Sequence, residues 1–435
     1  MKKIIRKLLP KRLILLYHYF LALLATLIYG SPAKKMIIIG VTGTKGKTTT
    51  SNYIWSCLSA CGIKTGIIST ANIRIGNEES LNEYHMTMPG RFTIQKLLKQ
   101  MADAGCKYCV VETTSEGLKQ YRHIGVHYDI GVFTNLTPEH LSAHGGSFEN
   151  YKNAKSIMFR ALSKNIKTID DKKIEKIIIA NADSEYADFY LNFPVDKKIT
   201  YSIDQPSDYK AAKIVESVEG VKFELGSEKY ASKITGRFNV YNILPAIIIC
   251  KLAGGTNEKI KLGLNSLEVI PGRMEFIDKG QNFKTMVDYA HEKQSITNIL
   301  NTARKIIAPT SKVIILLGAE GGGRDKTKRT AMGELSAKLS DFVVVSNVDP
   351  YEDNPTEIVE DIAKVAENNG KERDKNLFVI EDRREGIRKA FSLAHRDDIV
   401  LITGKGAEQS ITIGGVKYPW DDRTVVIEEL EKLKF

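Results

Sequence analysis

A short run in the sequence, GVTGTKGKTTT (40–50), has the residue types and spacing to hold the phosphates of a nucleotide. Gly43 and Gly46 allow the backbone amides around Thr44 to turn toward phosphate oxygens, Lys47 can reach the β and γ phosphates, and the Thr48 hydroxyl suits Mg²⁺, with Thr49 beside it. The spacing departs from the strict G-x4-G-K-[ST] form, because Val41 stands where the first glycine should be. A Gly-rich turn with a solvated lysine is the plainer alternative. The strand-like MIIIGV before the run and Thr48-Thr49-Thr50 at a helix start weigh against it. A nucleotide with Mg²⁺ is therefore the expected ligand. The loop alone leaves GTPases, kinases and transport ATPases open.

The elements that must position this loop are legible as apolar runs. MIIIGV, GIIST, YCVVE, DIGVFT and KIIIA, then TMVDY, KVIILLG, FVVVS, LFVIE and DIVLIT, alternate with helical patterns from Met36 onward. Such alternation predicts an α/β fold with parallel sheets flanked by helices. PGRME (271–275) separates the two series, so a larger ATP-binding domain is expected at 36–270 and a smaller Rossmann-like α/β domain at 271–435.

Composition narrows the class. The chain has 435 residues, 43% of them hydrophobic and 26% charged, which is globular and too long for one ordinary core. Its five cysteines sit in or beside apolar runs, which points to reduced thiols and the cytosol. Cys106 and Cys109 form a C-x-x-C, but no second pair follows at finger spacing. The net charge of +11 is concentrated in residues 1–35, where eight cations and no Asp or Glu occur, leaving +3 for the rest. That distribution gives no reason to expect nucleic-acid binding. Residues 13–29 carry no formal charge and lie between Pro10 and Gly30-Ser31-Pro32, as a helix would. This helix is expected either to contact a membrane surface at its inner face or to pack on the next domain.

Several later segments, in order, carry a family resemblance. The loop GTKGKTT (43–49) is similar to the GTNGKTT loop of the Mur ligases, whose own spacing departs from the Walker form in the same way. VETTSEGLKQYR (111–122), FTNLTPEHLSAHG (133–145) and YKNAKSIMF (151–159) resemble further motifs of that family. So do GRFNVYN (236–242), PGRME (271–275), MVDYAH (286–291), GRDKTKR (323–329) and GKGAEQ (404–409). The resemblance runs from about 36 to 425 and is closest to the enzymes that add the third residue of the peptidoglycan stem.

It implies an ATP-dependent ligase that makes an acyl phosphate and then an amide. A carboxylate is a poor acylating agent until phosphorylated, and both steps gather anions, so the site must supply cations and oriented donors. Glu112, at the end of the YCVVE strand, and His140 are then expected to hold Mg²⁺. A helix-capping or core histidine is the alternative at His140. Lys155, in the AK motif, is expected to be carbamylated and to act as a carboxylate-like metal ligand; a solvated helix lysine is the alternative. Asn239 and Asn242 offer amide edges to adenine, while Asp288 and Arg324, with Lys326 and Arg329 nearby, are expected at the ribose and phosphates. Thr113, Thr114, Ser115 and Arg122 are expected at the acceptor, and Glu408 at the ammonium of the incoming amino acid.

Two departures bear on the substrate. Only about 35 residues precede the loop, so the family's usual uridine-nucleotide domain is expected to be missing. The acceptor could then be a UDP-muramoyl peptide, a lipid-linked relative or a smaller acid. In SNVDPYEDNP (346–355), Tyr351 stands where ligases for meso-diaminopimelate carry an arginine, which points to another amino acid. A folylpolyglutamate synthetase-like ligase shares the mechanism, and a membrane-tethered nucleotide-binding module without activity is the competitor outside enzymes. Lys47, Thr48, Glu112, His140, Lys155 and Asp288 together favour a ligase.

Overall fold

The computed structural model describes residues 11–84, 86–139, 141–217, 219–323 and 326–433. It divides into two compact units, the first formed by the described residues of Met1–Val215, Val221–Lys233 and Arg237–Leu267, the second by Glu216–Gly220, Ile234–Gly236 and the described residues of Glu268–Phe435.

The core of the first unit is a run of parallel strands in the spatial order Lys197–Ser202, Ile177–Asn181, Ile130–Phe133, Ile37–Thr42, Tyr108–Glu112 and Thr65–Ile68. These are the Ile- and Val-rich runs of the sequence, and most of their residues are buried on both faces, as a sheet covered by helices requires. Antiparallel pairs extend both edges, Asn72–Ile75 with Glu78–Leu81 at one side and Gly220–Leu225 with Glu228–Ser232 at the other. Ile37–Thr42 sits between Tyr108–Glu112 and Ile130–Phe133, so its C-terminal end opens where the chain crosses in both directions, the usual place for a ligand.

In the second unit, Lys284–Asp288, Ile399–Thr403, Val313–Leu317, Phe342–Val345 and Leu377–Val379 form a parallel sheet, with Glu275–Phe276 antiparallel at one edge. Ile314, Leu316, Val344, Val400 and Ile402 face Ile387, Phe391, Val426 and Leu430 of the covering helices. The parallel α/β architecture expected from the alternating runs is present in both units.

Buried charge is paired. Asp129 is fully buried, accepts from the Ile38 amide at 2.8 Å and binds both Lys167 and Lys176, which joins three strand ends. The five cysteines are free thiols.

The apolar run 13–29 falls on the helix Lys11–Ile28, with Tyr29 in the turn after it, and among the described residues no helix is long and apolar enough to cross a membrane. Ala22, Ala25 and Thr26 are buried against the first unit. A Cβ on Gly125 (φ +77°) would lie 2.1 Å from the Thr26 hydroxyl, so the contact depends on small residues. Tyr19 meets Tyr121 edge-on.

Burial pushes the nearby His123 down to about 4, against a hydrogen bond to the Leu118 backbone. Between the unfolded value near 6.5 and about 4 the unfolded chain binds the proton and the folded one does not, so stability falls as pH falls through that window. The full effect is on the order of 3 kcal/mol. Urea unfolding should show the midpoint dropping from about pH 7 to about pH 4.5, with a shallower drop for His123→Gln. Equal slopes in the two proteins would contradict this.

Candidate active site

The loop after the first strand is held from the side by the segment Thr134–Thr137. The Thr44 amide donates to the Asn135 carbonyl at 2.9 Å and the Lys45 amide to Asn135 Oδ1 at 2.9 Å. The Thr134 hydroxyl donates to the Lys45 carbonyl at 2.7 Å, and the Thr137 amide donates to the Thr44 hydroxyl at 3.0 Å. Gly43 has φ +151°, and a Cβ there would sit 2.0 Å from the Thr134 hydroxyl oxygen. Gly46, at φ +82°, begins the helix Lys47–Ala60 with no side-chain cap, and a Cβ there would meet Asn242 Oδ1 at 2.2 Å. A helix start of this kind, with backbone amides and a positive dipole end, suits phosphate.

Around this loop the candidates Lys47, Thr48, Glu112 and Lys155 converge. The Thr48 hydroxyl donates to Glu112 Oε2 at 2.9 Å, and the Thr70 amide donates to the same oxygen at 2.8 Å. A buried hydroxyl beside a buried carboxylate is a donor set that fits Mg²⁺, which takes one or two protein oxygens and fills its shell with phosphate oxygens and water. Lys47 Nζ donates to the Thr44 carbonyl at 2.9 Å. Lys155 is 2% exposed and donates to the Gly43 carbonyl at 2.7 Å, with the Tyr151 ring 4.5 Å away. Burial, and then the Lys47 charge, push the Lys155 ammonium well below its usual range, with Glu139 and Glu112 opposing. The uncharged amine is thereby favoured.

His144 was not singled out by sequence reasoning. Its Nε2 lies 3.1 Å from the Ser115 hydroxyl, and burial, followed by Lys119 and Lys155, lowers it to about 4. The cue lay in the segment FTNLTPEHLSAHG, which also contains Asn135. His140 and Arg324 lie outside the described residues.

The remaining first-unit candidates are placed as follows. Thr113 is fully buried with its hydroxyl against Val111 O and the Tyr128 hydroxyl. Thr114 caps the turn Ser115–Lys119 through the Gly117 amide at 3.2 Å. Arg122 donates to the Met88 carbonyl and, at 2.8 Å, to Gln120 Oε1. Asn239 and Asn242 are bonded to each other at 2.8 Å, and Asn242 Oδ1 accepts from the Thr50 hydroxyl at 3.3 Å. Thr49 is buried in the loop helix. Among the described residues no group of three or more His, Cys, Asp or Glu is placed to hold a metal ion, Cys106 and Cys109 included.

In the second unit Asp288 ends its strand and accepts from the Met274 amide at 2.8 Å and the Ala290 amide at 2.7 Å. Glu408 accepts from Lys405 at 2.8 Å and from the Tyr289 hydroxyl at 3.1 Å. Lys405, fully buried, also donates to Asp349 at 2.7 Å. Burial works against its charge, but Glu408 and Asp349 prevail and hold it above the usual lysine range. Sequence reasoning drew only Glu408 from GKGAEQ and missed Lys405, Asp349 and Tyr289. Tyr351 has φ +55°, and its amide donates to the Thr412 carbonyl at 3.1 Å. Glu320 pairs with Lys328 at 3.0 Å, while Arg329 pairs with Asp361 at 2.8 Å.

Known proteins match this arrangement across most of the chain. Residues 41–250 match the Mur ligase middle domain and residues 272–406 the Mur ligase glutamate ligase domain. The UDP-N-acetylmuramoyl-L-alanyl-D-glutamate–2,6-diaminopimelate ligase of Geobacillus kaustophilus is 37% identical over 93% of this chain and 81% of its own. The UDP-N-acetylmuramyl-tripeptide synthetase of a Roseiflexus species is 35% identical over 95% and 82%. Among solved structures, a UDP-N-acetylmuramoyl-L-alanyl-D-glutamate–2,6-diaminopimelate ligase is 29% identical, with TM-score 0.60 over 91% of this chain and 78% of that one. The folylpolyglutamate synthase of Mycobacterium tuberculosis, complexed with ADP and AMPPCP, has TM-score 0.68 over 87% and 91% at 16% identity, a likeness of fold alone.

Replacing Lys405 with methionine should cost the second unit about 3–5 kcal/mol, because Asp349 and Glu408 would be left without their shared cation. Urea unfolding measures this. A loss under about 1 kcal/mol would show that the lysine is not what neutralises the two carboxylates.

Proposed function

The chain belongs to the Mur ligase family, and from that membership we propose which of its residues carry each step of amide-bond formation. The enzyme is an ATP-dependent ligase that adds an amino acid to the peptide stem of a peptidoglycan precursor. Our reading of the acceptor is a UDP-muramoyl dipeptide, and of the step, addition of the third residue. The relatives at 35–37% identity support it. We place the enzyme in the cytosol, in keeping with its free thiols.

The observation that carries the residue assignment is the convergence of Lys47, Thr48, Glu112 and Lys155 on one clamped loop. We assign residues 36–270 to nucleotide binding and activation, and residues 271–435 to the incoming amino acid. The amides of the loop and the Lys47 ammonium bind the ATP phosphates, with Asn239 and Asn242 toward the adenine and Asp288 and Arg324 toward ribose and phosphate. An oxygen of the acceptor carboxylate attacks the γ-phosphorus, the bond to the ADP oxygen breaks, and an acyl phosphate forms. The amine then attacks the acyl carbon, phosphate leaves with its electron pair, and a proton is lost. Thr48, Glu112 and His140 would hold Mg²⁺, which supplies positive charge to phosphate oxygens.

Lys155 is assigned a carbamate. Its amine adds to the carbon of CO₂ and loses a proton, which turns a buried cation into a carboxylate on the metal side. Burial beside Lys47 favours the uncharged amine that this addition needs. Thr113, Thr114, Ser115 and Arg122 are assigned to the acceptor side, where Thr113 acts by holding the strand end through the Val111 carbonyl and the Tyr128 hydroxyl.

Glu408 is assigned to the ammonium of the amino acid. Tyr351 cannot form the paired carboxylate contact that an arginine makes. We therefore assign an amino acid with a neutral or basic side chain, such as lysine, although the relatives in Geobacillus and elsewhere are named for 2,6-diaminopimelate.

Replacing Lys47 or Glu112 with alanine should lower turnover by about 100-fold or more without unfolding the protein, as loss of a charge stabiliser does. Lys155→Ala should be inactive and partly rescued by added formate or acetate. Near-normal turnover in Lys47→Ala or Glu112→Ala, or no rescue of Lys155→Ala, would remove these assignments.

The amino acid itself is read by competitive incorporation and mass spectrometry, with lysine and meso-diaminopimelate supplied together. Lysine should predominate, and a clear preference for diaminopimelate would refute the reading of Tyr351.

A further inference from the structure

The helix Lys11–Ile28 has two faces of opposite character. Ala22, Ala25 and Thr26 dock on the first unit, and the small residues at this face let the backbones approach closely. The large side chains Leu13, Leu16, Tyr17, Phe20, Leu24 and Leu27 repeat at helical spacing on the other side and are exposed, Leu27 to 75%. At 100° per residue they fall in a stripe about 100° wide, opposite Ala22. No charged residue interrupts the helix from Leu13 to Ile28. A contiguous exposed apolar stripe of this kind marks an interaction surface.

Charge identifies the occupant. Lys2, Lys3, Arg6, Lys7, Lys11 and Arg12 precede the stripe and Lys34 and Lys35 follow it, with no Asp or Glu anywhere in residues 1–35. Lys34 and Lys35 are exposed on the short turn Pro32–Lys35 that ends the segment. An apolar stripe with tyrosines along it and the exposed Lys34 and Lys35 on the turn beyond it, in a segment without Asp or Glu, is complementary to an anionic bilayer surface, where side chains enter the acyl boundary and lysines meet headgroup phosphates. Among the described residues no helix is long and apolar enough to cross a bilayer, and a stripe on one face of a helix suits the interface plane. A protein partner would leave the uniform positive charge unexplained unless it were strongly acidic.

We propose that the Leu13–Ile28 stripe, with Lys34 and Lys35 beyond it, docks this enzyme on an anionic lipid surface. The docking is separable from ligation, since none of these residues belongs to the nucleotide or amino-acid site. Where the enzyme works, not what it joins, is what this surface decides.

The test uses the full chain and flotation with vesicles of phosphatidylcholine alone or with about one third phosphatidylglycerol. The protein should float with the anionic vesicles at least about tenfold more than with the neutral ones, and less as salt rises. The double variant Leu16→Glu, Phe20→Glu should lose that binding, and Lys34→Glu, Lys35→Glu should weaken it several-fold. Both should keep the parent's melting temperature and ligase rate on a soluble acceptor. Protein that stays at the bottom with both vesicle types overturns the proposal. So does a full-length dimer that Leu16→Glu, Phe20→Glu dissociates in the absence of lipid binding, because a second copy would then be the occupant. Loss of ligase activity in the parent would instead count against the functional reading and leave the flotation result standing.

Discussion

The site depends on one constraint: the loop proposed to hold phosphate is clamped by a segment about ninety residues away. Thr134 and Asn135 take the hydrogen bonds that residues 44 and 45 would otherwise make to water, and they do so at the end of a strand paired to the loop's own strand. The closeness leaves no room for a Cβ at residue 43, where a hydroxyl oxygen would be 2.0 Å away. Parallel pairing sets the two strand ends side by side, and the clamp turns that adjacency into a fixed loop. A loop so held presents its amides without reorganising when phosphate arrives, and pre-oriented donors are what make electrostatic stabilisation effective.

The same geometry places the other charged groups. Glu112 ends the strand on the other side of Ile37–Thr42, so its carboxylate reaches the Thr48 hydroxyl on the helix that follows the loop. Lys155 comes from the helix Phe148–Lys164 and reaches the Gly43 carbonyl. Burial of Lys155, and then the charge of Lys47, drive it toward its uncharged form, with Glu112 and Glu139 opposing. In the second unit the logic is reversed: two carboxylates, Asp349 and Glu408, hold Lys405 charged in a fully buried position.

Much of this was legible in the sequence because the central strands are short apolar runs rich in Ile and Val and the loop is a local motif. Ile37–Thr42, Tyr108–Glu112 and Ile177–Asn181 needed no tertiary information. The strands Tyr209–Ser217 and Glu228–Ser232 were not read, since KAAKIVES and EKYAS mix charged and apolar residues as a surface loop does. Asn135 and Lys405 were missed for a different reason. Each lies in a recognised segment, but its partner is 90 and 56 residues away respectively, and only packing shows that the side chain is spoken for. A lysine flanked by glycines, as in GKG, reads as solvated until its burial is known.

The central claim is that the clamped loop serves amide-bond formation and not nucleotide binding alone, and stoichiometric phosphate release tests it most directly. With ATP, a UDP-muramoyl dipeptide and a panel of amino acids, phosphate should appear in sustained turnover only when acceptor and amino acid are both present, one phosphate for each amide formed. Turnover that ignores the amino acid, or binding of ATP with no phosphate released under any combination, would contradict it.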